Sequence, residues 1–519
     1  MLLPPTFQSN WLHQPLCSDP KRYFDQPYLF VYCSHSLYLA GKYHKKTQKI
    51  IEKTSEILPA EFLNRIKNQF PSDFERFTQS IDQVPAISLR TNPRKFNLPI
   101  STEKIPWCET GIFLNERPSY TLDPLLHSGA YYVQEASSMF LEQAFRQIEV
   151  AKDRIVLDLC AAPGGKSTHL LSLLNSSDLL VTNEVIRSRV SVLDENIRKW
   201  GHQNVVVTSN DPADFSSLEG LFDLILVDAP CSGEGLFRRD PGAINHWSVD
   251  NSNLCSTRQR RILADIWPSL KSGAYLIYST CTFNPAENEE NLKWLVENNE
   301  VESIRIPLQD NWGAEEIEND GLFGYRFLPH RVKGEGFFLT LIRKKDGRDS
   351  YPIPKKIKSR YEKMPKQFIE IKNWITSADS EFFAKNEFLI AFPDDKIPVL
   401  NAISEQLRII SFGLPVAQFK KNDLLPEHTF ALSVDRNPEI FESIELSLRD
   451  ALLFQKKDEI RINSTIKGWM LVKYQGVPLG FVKNLGNRAN NYFPKEWRIR
   501  MALPELPEPW YKLKENLRE

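Results

Sequence analysis

Two short segments carry thiols in settings suited to covalent chemistry: Asp228-Ala229-Pro230-Cys231-Ser232-Gly233-Glu234-Gly235 and Tyr278-Ser279-Thr280-Cys281-Thr282. Each follows an apolar run that reads as a strand, so both thiols are expected to open onto one crevice. A thiol with a pKa of about 8.5 is a few per cent thiolate at neutral pH and already a strong nucleophile, and modest help from neighbours raises that fraction. Cys33, Cys108 and Cys255 lack such a setting and read as buried small hydrophobes.

A third segment, Asp158-Leu159-Cys160-Ala161-Ala162-Pro163-Gly164-Gly165-Lys166-Ser167, follows a predicted strand and opens a predicted helix. Its small residues let a ligand approach the backbone closely. The tail imitates a phosphate loop, but that pattern needs glycine where Cys160 stands, and Pro163 removes an N–H donor. A nucleotide hydrolase is therefore set aside. The better signal is a series of carboxylates at successive strand ends: Asp158, Glu184 26 residues on, then Asp211 and Asp228. The spacing is similar to that of sites where an acidic residue receives a ribose hydroxyl. A ligand with a ribose, an adenine and a cationic centre but no phosphate suits such a crevice, and S-adenosylmethionine is one. Each carboxylate alone would read as a loop or cap residue; the ordered series carries the inference.

These residues need a scaffold that brings strand ends together. Strands are predicted at Ile155–Leu159, Leu179–Asn183, Val205–Thr208, Leu224–Val227 and Tyr275–Tyr278, with helices at Ser167–Leu174, Arg187–Trp200 and Arg258–Leu270 between them. Such alternation predicts an α/β domain, a Rossmann-like parallel sheet covered on both faces, with ligands at the carboxyl ends of its strands. Gly336–Ile342 reads as a terminal strand. Upstream, Pro59 opens a run with Phe62, Ile66 and Phe70 at helical spacing, closed by Pro71, which predicts a small helical module. Downstream, Phe388–Phe392, Thr429–Val434, Gly468–Tyr474 and Pro478–Val482 read as strands of a β-rich C-terminal module.

The expected organisation is an extension at 1–55 without an assigned role, an N-terminal RNA-binding module at 56–125, the Rossmann-like domain at 126–345, a basic linker at 346–385 and the β-rich module at 386–519. The extension holds a basic cluster, Lys42, Lys45, Lys46 and Lys49, and Arg343–Lys366 holds ten Lys or Arg against three Asp or Glu. With 519 residues, 41% hydrophobic and 25% charged, the chain has ample apolar surface for several cores. A formal net charge of −1 means that nucleic-acid contact must come from local basic surfaces. Seven cysteines without a C-x-x-C pair argue against a disulfide framework or a thiolate zinc site. The start lacks the pattern of a secretory signal, and no uncharged run is long enough to span a bilayer. The expectation is a cytoplasmic, reducing setting and a monomer with no metal and no membrane contact.

The chain resembles the RNA cytosine-C5 methyltransferases of the Sun/Fmu superfamily, and in overall arrangement their RsmF-type ribosomal RNA branch. The matching segments are Ser88-Leu89-Arg90-Thr91-Asn92, Gln134-Glu135-Ala136-Ser137-Ser138, the Cys160–Lys166 loop, the Asp228–Gly235 loop, and Ser279-Thr280-Cys281-Thr282 with Pro285-Ala286-Glu287-Asn288-Glu289. The resemblance is firm over about residues 56–345. It is looser at Leu471-Val472, Pro478-Leu479-Gly480 and Asn491-Tyr492-Phe493-Pro494-Lys495, which resemble a PUA-like RNA-binding module. It implies methyl transfer from S-adenosylmethionine to carbon 5 of a cytosine through a cysteine adduct at carbon 6. Cys281 would be the nucleophile and Cys231 would assist product release. Cys160, Ala161, Ala162, Pro163, Gly164, Gly165, Lys166, Glu184, Asp211 and Asp228 would contact the methyl donor, with Lys166 and Asp228 also towards the base. A carboxyl such as Asp228 also suits protonation of ring nitrogen 3.

The target cytosine must be single-stranded or flipped out of its stack. Candidates to hold flanking RNA are Arg90 and Asn92, Arg238 with Arg239, Arg258 with Arg260 and Arg261, Arg326 with His330 and Arg331, and the basic linker, with Tyr474 and Tyr492 as stacking surfaces. The expected partner is small-subunit ribosomal RNA or an assembling subunit. Transfer RNA is the alternative substrate, and a catalytically silent ribosome-assembly factor the alternative function.

Overall fold

The computed structural model describes residues 54–96, 103–149, 152–353, 360–377, 379–421, 423–505 and 509. All lie in the second of the two units into which the chain divides, Ile51–Glu519. The basic cluster at Lys42–Lys49 lies outside the described residues.

The apolar spacing after Pro59 folds as α1 (Ala60–Gln69), with Phe62 and Ile66 buried, followed by α2 (Phe74–Ile81). Their apolar faces pack onto Phe237, Trp247, Phe283 and Leu328, beside the two cysteine loops. The N-terminal module is more than helical. Strands β1 (Ile87–Thr91), β2 (Gly111–Leu114) and β3 (Tyr131–Tyr132) form an antiparallel sheet, and α3 (Leu141–Arg146) leads into the central domain.

Five strands then alternate with helices: β4 (Ile155–Asp158), α4 (Gly165–Leu173), β5 (Leu179–Asn183), α5 (Arg187–Trp200), β6 (Val205–Thr208), β7 (Phe222–Asp228), α6 (Val249–Ile266) and β8 (Leu270–Thr280). These strands pair in parallel in the order β6-β5-β4-β7-β8. The order therefore reverses at β4/β7, the switch point where a doubly wound sheet opens a crevice for ligands. Helix α7 (Glu289–Asn298) and strands β9 (Val301–Ser303), β10 (Glu315–Asn319), β11 (Leu322–Phe327) and β12 (Phe337–Lys344) complete that side, β12 antiparallel to β8. Alternate residues of β4 and β7 enter opposite cores. Val156, Leu224 and Leu226 face one, and Leu157, Ile225 and Val227 the other, as burial on both faces requires.

Two expectations are corrected by local chemistry. The third helix starts at Val249 rather than Arg258, because the Ser248 hydroxyl accepts from Asn251 N–H at 3.0 Å and caps it, and it ends at Ile266 just before Pro268. Thr429–Val434 is not a strand. His428–Ala431 is a short buried helix, within an apolar run too short for its period to separate helix from strand.

The C-terminal part is divided more finely than one β-rich module. Ser380–Lys385, which the sequence placed in the linker, belongs to a five-stranded sheet, and a second sheet spans Ser443–Asn491. Ile409–Phe412 extends the central sheet, antiparallel to β6. The second sheet shares a core with the N-terminal module: Leu89, Ile112 and Leu125 pack with Phe454, Met470 and Val472. Among the described residues no helix is long and apolar enough to cross a membrane.

Candidate active site

The two cysteine loops leave the sheet side by side because β7 and β8 are parallel neighbours, with Asp228 level with Ser279. The chain then places Cys231 Sγ 3.2 Å from Cys281 Sγ, both partly buried. The loops are tied by Gly235 N–H, which donates to Cys281 O at 2.8 Å. A Cβ at Gly235 would lie 2.6 Å from Gly336 O and 2.8 Å from Cys281 O, so this approach requires glycine.

Glu287 clasps both loops. Its carboxyl accepts from Ser232 N–H (2.9 Å), Ser232 Oγ (2.5 Å), Gln259 Nε2 (3.0 Å) and Thr282 Oγ1 (3.3 Å). Ser232 and Thr282 are the residues that follow the two cysteines. Burial pushes Glu287 up to about 7, opposed by the Ser232 hydrogen bond and assisted by Glu234. Glu234 in turn accepts from Arg65 (2.6 Å), Trp247 Nε1 (2.9 Å) and Phe283 N–H (3.2 Å), linking α1 to the cysteine loops. Sequence reasoning gave neither carboxylate a role, although Pro285-Ala286-Glu287-Asn288-Glu289 was one of the matching segments.

On the β4 side, Gly164 adopts φ +110°, closed to other residues, and lets the Cys160–Lys166 loop turn into α4. Helix α5 fixes that loop through its carbonyls: Asn196 Nδ2 donates to Pro163 O at 2.8 Å and Arg189 Nη2 to Ala162 O at 2.5 Å. Asp158 is wholly buried. Burial raises it to about 7, opposed by the 2.6 Å bond from Ser167 Oγ and reinforced by Asp228 and Glu184. Glu184 is also raised by burial, against its ion pair with Arg189 at 3.2 Å. The Cys160 thiol is held far up by burial and by Glu184, Asp158 and Asp228, so these carboxylates share one crevice with the glycine loop. Asp158 Oδ1 is buried with no hydrogen-bond partner among the described residues. An acidic crevice with an unsatisfied acceptor fits the sulfonium, amine and ribose of S-adenosylmethionine.

Lys166 Nζ lies 2.8 Å from Asp228 Oδ2, and Ser279 Oγ donates to Asp228 Oδ1 at 2.8 Å. Burial opposes the Lys166 charge, but Asp228, Cys281 and Asp158 outweigh it and hold its pKa up. The ammonium thus connects the carboxylate crevice to the cysteine pair. The Cys231 thiol is held well above its ordinary pKa by contact with Cys281, by burial and by Glu287.

Other expected site residues are elsewhere. The Asp211 carboxylate, three residues beyond β6, accepts from Ala213 N–H at 3.1 Å and pairs with Arg261. Arg90, expected on RNA phosphates, is 0% exposed: it donates to Gln134 Oε1 (2.9 Å), Thr168 Oγ1 (2.7 Å) and Gly165 O (3.2 Å) and lies over the Trp200 ring. Asn92 is buried too, donating to Trp200 O at 3.1 Å. Both fasten the N-terminal module to the glycine loop and α5, which corrects the expectation that they meet RNA. Arg238 is buried against Glu335, Arg326 pairs with Glu289, and Arg331 and His330 face Asp73. Arg260 donates to Asn291 Oδ1 at 2.8 Å. Arg239 stays exposed, Tyr474 is core, and Tyr492 remains on the surface against Trp469.

A doubly wound sheet with this acidic, glycine-lined crevice at its switch point has the architecture of an S-adenosylmethionine-dependent methyltransferase. Comparison with known proteins narrows the class. Residues 146–343 match the 16S rRNA methyltransferase RsmB/F family, 58–136 the N-terminal domain of 16S rRNA methyltransferase RsmF, and 441–499 the RsmF PUA domain. Ribosomal RNA small subunit methyltransferase F of Vibrio atlanticus is 31% identical over 471 residues, spanning 85% of this chain and 97% of the relative. The protein of the same name from Escherichia coli (strain SE11) is 30% identical over 463 residues, spanning 84% and 96%. The solved structure of PH0851 superposes with a TM-score of 0.50 at 25% identity, over 55% of this chain and 66% of that one. The chain belongs to the RsmB/F family of RNA methyltransferases, in its RsmF branch.

Proposed function

We propose that this protein methylates carbon 5 of a cytosine in small-subunit ribosomal RNA, with Cys281 as nucleophile and Cys231 as the group that frees the product. The 3.2 Å approach of the two sulfurs beside the Lys166–Asp228 pair carries this reading. S-adenosylmethionine supplies the methyl group. The charges around the two sulfurs differ: the Lys166 ammonium acts on Cys281, whereas Glu287 acts on Cys231. Negative charge favours a thiol, so Cys231 keeps its proton, and the resemblance of the Thr280-Cys281 segment to the family assigns the attack to Cys281.

Addition of Cys281 Sγ to carbon 6 forms the carbon–sulfur bond and moves the ring electrons to carbon 5, which takes the methyl group. The carbon 5 proton then leaves to a base, the ring double bond re-forms and the Cys281 thiolate is expelled. Cys231 stands where it can assist that last step. Lys166 is the donor of the Lys166–Asp228 pair, so it is assigned to ring nitrogen 3 in place of the Asp228 carboxyl expected from the sequence. The Asp228 carboxylate, one-third exposed, accepts from the exocyclic amine. The small-subunit substrate rests on the names of the relatives and on the PUA-like match.

The test uses small-subunit RNA from cells lacking this protein. Cys231→Ala is expected to trap a protein–RNA adduct that survives denaturing electrophoresis, and Cys281→Ala to abolish both adduct and methylation while still binding S-adenosylmethionine. Methylation by the Cys281 variant would reject the assignment, and bisulfite sequencing of the product identifies the base.

A further inference from the structure

Away from the cysteine pair, Cys108, Glu142 and His169 meet in a wholly buried cluster whose ligand atoms all lie within 4.8 Å of one another. They come from three places: the turn before β2, helix α3, and helix α4, which opens with the glycine loop. Cys108 Sγ is 3.8 Å from His169 Nε2, and Glu142 Oε2 is 3.4 Å from the same nitrogen. A Cys–His–carboxylate relay would use the two ring nitrogens separately, one for each partner. Here thiol and carboxylate converge on Nε2, and Nδ1 is buried without a partner among the described residues. The arrangement is that of donors around a common point.

We propose that Cys108, Glu142 and His169 form a structural zinc site joining the N-terminal module to the helix that carries the cofactor loop. For tetrahedral zinc with ordinary bond lengths, sulfur and nitrogen ligands stand about 3.6 Å apart and nitrogen and oxygen ligands about 3.3 Å apart. The observed 3.8 and 3.4 Å lie within a few tenths of an ångström of these values, and the sulfur–oxygen edge, within 4.8 Å, has to close to about 3.6 Å. One thiolate, one imidazole and one carboxylate make a donor set of the borderline softness that zinc takes. The thiolate and carboxylate balance the charge of the ion once the thiol proton is released, with the Arg90 and Arg146 guanidiniums beside the cluster.

The carboxylate is already oriented from outside: Arg146 holds Glu142 Oε1 at 2.6 Å, and Glu109 N–H reaches both oxygens at 3.3 Å. That leaves Oε2 on the side of His169. Thr110 Oγ1 lies 3.9 Å from the sulfur, and with three protein donors the fourth vertex would fall to a water. The cation would pin α4, and with it the Gly164–Lys166 turn, to the N-terminal module.

The test is the zinc content of the full-length chain, purified without metal-affinity chromatography and passed over a weak chelating resin. Because Cys231 and Cys281 can also bind zinc, the measurement is made in the Cys231→Ser/Cys281→Ser background. The expectation is about one zinc per chain there, lost in Cys108→Ser and in His169→Gln, with cobalt replacement giving a thiolate charge-transfer band. Strong chelation should also lower the melting temperature of that background protein. A double-serine protein that folds but holds no zinc and shows no cobalt–thiolate band would overturn the proposal, whether or not the Cys108 variant folds.

Discussion

Removing the Glu287 carboxyl tests whether one side chain sets the geometry of the cysteine pair. Glu287→Ala deletes four hydrogen bonds that hold the residues following both cysteines. At about 0.5–1.5 kcal/mol each, their loss should cost about 2–6 kcal/mol of stability. The sulfurs then lose their common support, and a displacement of about 1 Å in such a site lowers turnover about 100-fold. S-adenosylmethionine binding should be unchanged, because none of those bonds touches the carboxylate crevice.

Glu287→Gln separates charge from shape. The amide can keep the clasp by facing its nitrogen to the Ser232 and Thr282 hydroxyls, which can turn to accept. In the native protein burial raises the carboxyl from 4.5 to about 7, so the folded state favours its protonated form. That contribution is present in full below pH 4.5 and is lost as pH rises through about 7, an effect of up to about 3 kcal/mol. The glutamine variant lacks this slope. Urea unfolding at several pH values should therefore show the native protein losing stability relative to the glutamine variant as pH rises through that window. Parallel stability curves, or native turnover in the alanine variant, would refute the clasp.

Two further outcomes follow from the site. Arg90→Ala should destabilise the protein by about 2–4 kcal/mol, through lost hydrogen bonds and packing against Trp200, while leaving the salt dependence of RNA binding unchanged; a reduced salt slope would return Arg90 to the RNA surface. Gly164→Ala places a side chain at φ +110°, at a cost of about 1–2 kcal/mol, and should weaken S-adenosylmethionine binding measured calorimetrically more than it lowers the melting temperature.

The local part of the design is written in the order of residues. Leu179–Asn183 and Val205–Thr208 are strands where their apolar runs lie, and Arg187–Trp200 is a helix where its spacing places one, because these elements depend on neighbours a few positions away. The glycine loop, the carboxylates at strand ends and the two cysteine segments were legible for the same reason: their chemistry is carried by adjacent residues. Folding decided what each charge faces. Arg90, Arg238 and Arg326 look alike in a sequence to any RNA-binding arginine, yet each is consumed by a partner 37 or more positions away. Glu287 sits in a visible motif, but its role exists only because β7 and β8 are neighbours, bringing Ser232 within reach across 55 positions. Hydrophobic period and turn chemistry are short-range and survive in one dimension, whereas burial, ion pairing and the meeting of two sulfurs depend on which strands the sheet sets side by side.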